Sequence, residues 1–254
     1  MSAPIFYVDT EHVEGLEPDE VFRLQGEEGH HAKNVKRLTV GESVDIADGQ
    51  GLRLSTRVVE VLEDGLVLSI DSIQRETPGS SIILVQALAK NDRDLLAIET
   101  ATELGVTAVV PWSAHRSIVQ WKKERAQKAY GKWVNTVTAA AKQARRASIP
   151  VVYDLHNTNQ LAKVIDEETA EGALVFVLHE AGSSDLVSFL SKNQNAAGRL
   201  IYLVVGPEGG ISDQELQLFE EAGAKVVVLG REILRSSTAG AAAITVIKTV
   251  FGHW

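Results

Sequence analysis

The C-terminal part of the chain alternates between short apolar runs and glycine-containing loops, a pattern typical of α/β proteins. Residues 200–205 are almost wholly apolar and rich in β-branched side chains, which predicts a strand buried on both faces. A loop with three glycines, Gly206 to Gly210, follows it, and a second apolar run at 226–229 ends at Gly230. Ligands of open α/β sheets bind at the carboxyl ends of the strands. We therefore expect two neighbouring strands that bring both loops to one binding site.

Helix signals follow both loops. Ser212 with Glu215 three residues later forms a capping box, which predicts a helix start, and Gly223 predicts its end. After the second loop, Arg235 to Thr238 lead into a helix of small residues at 239–243. Each glycine loop is thus predicted to connect a buried strand to a helix.

The same alternation of strand and helix extends back to residue 81. It predicts strands at 81–88, 106–111, 150–152 and 173–178, and helices at 92–104, 120–146 (interrupted near Gly131) and 158–168. Strands that alternate with helices form a mainly parallel sheet covered on both faces. Residues 81–254 are therefore predicted to form one α/β domain.

The N-terminal residues follow a different pattern. Short alternating strands are separated by Asp48-Gly49 and Asp64-Gly65, which are strong hairpin signals. Residues 1–74 are accordingly interpreted as a small β-barrel. The polar residues 75–80, which contain Pro and Gly, are the best candidate linker.

Charge is distributed unevenly along the chain. The formal net charge is −9, yet residues 122–146 contain eight basic residues and one acidic residue. This basic run can attract a polyanion such as RNA, or it can be a solvated helix face, and the sequence favours neither. No apolar run is long enough to span a bilayer and no secretion signal begins the chain. With no cysteines as well, we expect a cytoplasmic protein without a membrane partner.

Common ligand motifs do not explain the glycine loops. The first strand of the α/β part is not followed by the G-x-G-x-x-G pattern of dinucleotide sites, and the Gly-Lys-Ser/Thr of a P-loop is missing. The adjacent His30 and His31 point apart on one element and have no third ligand nearby in sequence. No metal site is predicted.

The combination of motifs resembles a known group of enzymes. Val205 to Gly210, Leu229-Gly230, Ile233 to Arg235 and Thr238-Ala239 resemble the SPOUT superfamily of methyltransferases. Within it the chain resembles the ribosomal RNA small subunit methyltransferase E family, which methylates N3 of a uridine in small-subunit (16S) ribosomal RNA. The resemblance extends to three further groups of residues: His31, Val35, Arg37-Leu38, Gly41 and Asp48-Gly49; Ala87-Leu88, Lys90, Asp92-Arg93 and residues 102–106; and Gln143, Arg146 and Pro150.

The resemblance implies a fold and partners. It implies a C-terminal SPOUT-type sheet, mainly parallel and with a trefoil knot, and an N-terminal PUA-like β-barrel that binds RNA. It implies S-adenosyl-L-methionine as methyl donor and either 16S ribosomal RNA or the assembled small ribosomal subunit as partner. It also implies a homodimer.

Roles for individual residues follow from the same resemblance. Methylation of N3 removes an imide proton and spreads negative charge onto two carbonyl oxygens, which Arg235 could stabilise, although pairing with Glu208 is an alternative role for it. Glu208 could take the proton or hydrogen-bond to loop amides. Cofactor-binding residues are expected at Leu178, Gly206, Gly209, Gly210, Leu229, Gly230, Leu234 and Ser236. Substrate RNA is expected to contact Arg37, Arg116, Gln143 and Arg146.

The chain departs from the family pattern at several positions. Ser236-Ser237-Thr238 stand where Thr-Glu-Thr is usual, and Thr100 replaces a common lysine. These departures keep open two other interpretations: a non-enzymatic module that binds ribosomal RNA, and a methyltransferase for another RNA.

Overall fold

The computed structural model describes residues 3–76, 81–122, 124–193 and 197–253. The chain forms two compact units. One contains residues 1–77 and 141–149, and the other contains 78–140 and 150–254. Residues 141–149 were predicted to belong to the α/β domain, but in the structure they pack in the N-terminal unit. Within the predicted linker 75–80, Arg75 ends a strand, whereas 77–80 lie outside the described residues.

The N-terminal unit is built on one five-stranded sheet in the order β1-β3-β4-β5-β2. Its elements are β1 (Ile5–Tyr7), a 3-10 turn (Thr10–His12), β2 (Val21–Leu24), α1 (Gly26–His30), a π-helical turn (His31–Val35), β3 (Ser43–Ala47), β4 (Leu52–Val61) and β5 (Leu66–Arg75). Two hairpins join β3 to β4 and β4 to β5, as the Asp-Gly pairs predicted. Register shifts along the β4–β5 pair bend these long strands, which curls the sheet.

Residues 141–149 are fixed to this sheet by polar contacts. The Tyr7 hydroxyl donates to the Arg146 carbonyl oxygen at 2.7 Å, and an Arg53 Nη2 donates to the Arg145 carbonyl oxygen at 2.6 Å. Ala147 packs with Ile5 against β1 and β3. These contacts connect residues far apart in sequence, and for that reason the local pattern did not predict them.

The C-terminal unit contains eight strands and six helices among its described residues. They are β6 (Ile82–Ala87), α2 (Arg93–Glu103), β7 (Ala108–Ser113), α3 (Glu124–Gln143), β8 (Val151–Val152), β9 (His156–Asn157), α4 (Thr158–Ala170), β10 (Leu174–Leu178), β11 (Ser184–Asp185), α5 (Leu186–Lys192), β12 (Ile201–Val205), α6 (Asp213–Glu221), β13 (Lys225–Val228) and α7 (Ser236–Val250). Helix α3 belongs to this unit up to Ala140.

The described strands of this unit pair in parallel, in the order β11-β13-β10-β12-β6-β7-β8, with β9 beside β7. The predicted mainly parallel α/β sheet is therefore confirmed. The prediction that β12 and β13 are neighbours was wrong, because β10 lies between them. All three strands run in the same direction, so their following loops still meet at one edge of the sheet.

Helix α3 corrects another prediction. It runs from Glu124 to Gln143 without the predicted interruption at Gly131. Trp133 and Val137 are buried on one face of this helix, and their packing offsets the low helix propensity of one glycine. Lys123, part of the basic run, lies outside the described residues. No helix in the described part of the chain combines the length and apolar character needed to cross a membrane.

Candidate active site

A cavity of about 570 Å³ opens at the carboxyl edge of the parallel sheet. Loops after β10, β12 and β13 supply most of its wall, and Arg93 and Arg116 extend into it from the segments after β6 and β7. Its volume is within the range of small-molecule sites, about 300–1,000 Å³. All eight predicted cofactor residues line it: Leu178, Gly206, Gly209, Gly210, Leu229, Gly230, Leu234 and Ser236.

Three of the lining glycines differ in how closely their backbone is packed. A Cβ on Gly206 would lie 2.6 Å from Ile211 Cγ1, too close unless that side chain shifts, and one on Gly209 would make a tight contact of 3.0 Å with Arg116 Cβ. A Cβ on Gly230 would meet nothing closer than 3.7 Å. Packing therefore does not require glycine at that position, which borders the cavity.

The two predicted catalytic residues have different surroundings. Arg235 lines the cavity, is exposed, and makes no hydrogen bond or ion pair through its side chain with any other described residue. The proposed alternative, a pairing of Arg235 with Glu208, is not what the structure shows. Glu208 Oε1 instead accepts from the Lys90 backbone N–H at 3.2 Å and from Arg93 Nη1 at 3.3 Å.

Comparison with known proteins identifies the family to which this chain belongs. A model of the RNA methyltransferase domain matches residues 75–248, and a model of the RNA methyltransferase PUA domain matches 24–70. Ribosomal RNA small subunit methyltransferase E of Mycobacterium bovis is 40% identical over 258 residues, which cover 100% of this chain and 94% of that protein. The chain belongs to the ribosomal RNA small subunit methyltransferase E family. The Bacillus subtilis member is 29% identical and is covered over 91% of its length.

Solved structures of methyltransferases share the fold. Methyltransferase E of Neisseria gonorrhoeae, crystallised with S-adenosyl methionine, has a TM-score of 0.82 and 27% identity, with 98% of both chains covered. A putative methyltransferase from Legionella pneumophila with bound S-adenosylmethionine has a TM-score of 0.80 and 25% identity over the same share of both chains. The match extends over both units of this methyltransferase E family member.

Arg116, predicted to contact RNA, supports the glycine loop of this methyltransferase E family member. Its Nη1 donates to the carbonyl oxygens of Gly209 at 3.3 Å and Ile211 at 3.5 Å. The preceding residue, His115, donates its backbone N–H to Glu215 Oε1 at 2.8 Å. The capping box of α6 therefore also holds the segment that carries Arg116.

The hydroxyl of Ser236 is engaged within the protein. Ser236 is the first residue of α7 and is buried, and its Oγ donates to the Gly206 carbonyl oxygen at 2.7 Å. Ser236 lines the cavity, but its hydroxyl connects two cavity loops to each other.

The other predicted RNA residues lie in the N-terminal unit. Arg37 is exposed and has a left-handed backbone with φ of 56°. Gln143 is the exposed last residue of α3. Arg146 is partly buried, burial lowers the pKa of its guanidinium, and an Nη2 lies 3.4 Å from Ser148 Oγ. These three residues do not line the cavity, whereas Arg116 does.

Three residues that shape the site were not predicted as site residues from the sequence. Arg93 pairs with Glu208, Gln86 hydrogen-bonds to Ser236, and Glu215 holds the His115 segment. A signal existed for Gln86, which is a lone amide in an otherwise apolar strand. For the other two, no local pattern connects residues more than 90 positions apart.

Proposed function

We propose that this protein transfers a methyl group from S-adenosylmethionine to N3 of a uridine in small-subunit (16S) ribosomal RNA. The supporting observation is the cavity formed by the loops after β10, β12 and β13 in a chain of the methyltransferase E family. The Neisseria gonorrhoeae relative was crystallised with S-adenosyl methionine. In this proposal the eight lining residues predicted from the sequence, from Leu178 to Ser236, hold the cofactor.

The residues of the cavity suit the charge changes of this reaction. Bound S-adenosylmethionine would supply an electrophilic methyl group, with S-adenosylhomocysteine as the leaving group when the carbon–sulfur bond breaks. Loss of the N3 proton spreads negative charge onto the two flanking carbonyl oxygens of the base, and this charge is neutralised as N3 bonds to the methyl carbon. Arg235 carries a permanent positive charge with forked donors, which suits it to stabilise those oxygens.

Glu208 is our candidate for the group that accepts the N3 proton. Its Oε1 is held by Lys90 and Arg93, whereas its Oε2 makes no hydrogen bond to any described residue. The two donors fix the carboxylate in place and leave one oxygen able to accept a proton.

The exposed face of α3 supports an RNA partner. Arg125, Lys128 and Lys132 are exposed at spacings of three and four residues, so they lie on one side of the helix. Their side chains make no ion pair or hydrogen bond within the described chain. We call these three residues the cationic stripe and propose that it contacts phosphates, together with Arg37, Arg116, Gln143 and Arg146.

Removal of the cationic stripe is expected to change the salt dependence of RNA binding. Lys128→Ala/Lys132→Ala should weaken affinity for 16S ribosomal RNA and lower the slope of log K against log salt by about 1.5, since each phosphate contact contributes about 0.7–0.9. Filter binding at several salt concentrations measures the slope. Lys163→Ala/Lys192→Ala removes the same charge from exposed positions on α4 and α5 and should leave the slope unchanged. Equal effects of both pairs would show that net charge alone matters.

Several finer assignments belong to the same proposal. We assign RNA recognition to a small PUA-like β-barrel at 1–74, a linker to 75–80, and methyl transfer to a knotted SPOUT domain at 81–254. A chain that methylates ribosomal RNA would act in the cytoplasm, on free RNA or on the assembled small subunit. We also propose a homodimer, which light scattering of the purified protein would test.

The function itself is tested in two steps. Calorimetry should detect binding of S-adenosylmethionine, and 16S ribosomal RNA from a strain lacking the protein should lose one 3-methyluridine in nucleoside analysis. Restoring the gene should restore the modified nucleoside. A protein that binds ribosomal RNA but transfers no labelled methyl group would be the non-enzymatic module instead, and loss of a modified uridine from another RNA would reassign the substrate.

A further inference from the structure

Gln86 is a polar residue in the middle of the parallel sheet. It lies on β6, between β12 and β7, in register with Val205 and Pro111, and its exposed fraction is 0%. Every other residue of β6 is aliphatic and buried. An amide in such surroundings costs free energy unless hydrogen bonds replace those it made to water.

Two hydrogen bonds connect Gln86 to the cavity. Its Nε2 donates to Ser236 Oγ at 2.8 Å, and Ser236 Oγ donates in turn to the Gly206 carbonyl oxygen at 2.7 Å. The same Nε2 also lies 3.2 Å from the Ala87 carbonyl oxygen. We call the chain from Gln86 through Ser236 to Gly206 the relay. It joins β6, the start of α7 and the loop after β12, although Gln86 and Ser236 are 150 residues apart.

Side-chain packing alone does not explain why residue 86 is a glutamine. Gln86 Oε1 is buried and has no hydrogen-bond partner among the described residues, so the side chain is only partly satisfied. An apolar side chain of similar shape would fill the space without that cost. A buried polar network of this kind specifies one geometry more strongly than it stabilises the fold.

We infer that Gln86 is a positioning residue for methyl transfer. Through Ser236 it sets the position of the Gly206 carbonyl group and of the backbone from which Arg235 extends. The inference rests on the proposed function, because both segments line the cavity assigned to S-adenosylmethionine. Displacement of a reacting group by about 1 Å can reduce a rate about 100-fold. A change at Gln86 therefore acts on the rate without touching either reactant.

The test compares catalysis with stability in the same variants. Gln86→Met keeps the length of the side chain but removes its donor, and Ser236→Ala breaks the relay one step later. Each is expected to lower kcat about 10–100-fold. The thermal midpoint of Gln86→Met should stay the same or rise. The double variant should be no slower than the slower single variant, because both changes break one relay.

A further variant serves as a control. Thr107→Val removes a side-chain hydrogen bond to the Ile82 carbonyl oxygen, at the other end of the same strand, and should leave kcat unchanged.

Each outcome decides between the alternatives. Wild-type kcat in Gln86→Met, multiplied losses in the double variant, or an unfolded Gln86→Met and Gln86→Leu would all overturn the inference. Failure of the wild-type protein to bind S-adenosylmethionine in calorimetry would instead overturn the proposed function. A slow, stable Gln86→Met that still binds the cofactor supports both.

Discussion

Arg235→Ala is expected to lower kcat by about 100–1,000-fold while the affinity for S-adenosylmethionine changes little, because loss of one donor at a developing negative charge has effects of this size. The guanidinium contacts no other described side chain through a hydrogen bond or ion pair, so its removal leaves the loops in place. The positive charge is needed only when the uridine ring becomes anionic. Single-turnover rates with labelled cofactor and calorimetry on the same preparation measure the two quantities.

Arg235→Lys separates charge from geometry. Lysine keeps the positive charge but lacks the planar fork, so an intermediate rate is expected. Arg57→Ala removes an exposed arginine that pairs with Asp71 in the N-terminal unit and should retain the wild-type rate. If Arg235→Ala loses rate and cofactor affinity in equal proportion, the residue holds the cofactor in the ground state and our assignment of its role is wrong.

The features predicted well from the sequence were local ones. The capping box of Ser212 and Glu215 needs only four residues, and it starts α6 as expected. The hairpins at Asp48-Gly49 and Asp64-Gly65 depend equally on short-range turn chemistry. The apolar run at 200–205 became β12, buried along its whole length.

The contacts that shape the cavity could not be predicted from local sequence patterns. Glu208 is held by Arg93, which is 115 residues away in sequence, and the pattern around either residue does not specify the other. The strand order was not predicted either, since β10 lies between β12 and β13, which were expected to be neighbours. Both features depend on how the sheet assembles, which sequence periodicity does not encode.

Local propensity was overridden in one helix. Gly131 lowers helix propensity by about 1 kcal/mol relative to alanine, which led to the predicted interruption. Burial of Trp133 and Val137 stabilises α3 by more than that amount, at about 1.5–3 kcal/mol for each large apolar side chain. The helix is therefore continuous, because the burial of these two side chains outweighs the low helix propensity of Gly131.

Glu215→Gln is expected to lower the free energy of unfolding of the C-terminal unit by about 3 kcal/mol, or about 6–12 °C in thermal midpoint. The side chain is only 4% exposed. Its Oε1 accepts from the His115 N–H and the Thr158 hydroxyl, each at 2.8 Å, and its Oε2 accepts from the Ser212 N–H at 3.0 Å. Glutamine replaces one of these acceptors with a donor. Glu221→Gln changes an exposed residue on the same helix and should cost less than about 0.5 kcal/mol.

The cost of Glu215→Gln should also depend on pH. Burial alone raises the pKa of Glu215, but hydrogen bonds from His115, Ser212 and Thr158 outweigh it and bring the pKa below its ordinary value. A carboxylate with a lowered pKa stabilises the fold fully above the unfolded pKa, about 4.3, and loses that contribution as the pH falls through the folded pKa. Only the wild-type protein can lose this contribution to stability, because Glu215→Gln has no carboxylate at this position.

Urea unfolding of both proteins, from neutral pH down to about pH 3, should therefore show their stabilities converging. Asp94, whose pKa is raised by burial, has the opposite dependence, but it is present in both proteins and cancels in the difference. A difference that stays constant over this range would mean that the charge of Glu215 does not contribute. In that case the loop that carries Arg116 is held by neutral hydrogen bonds alone.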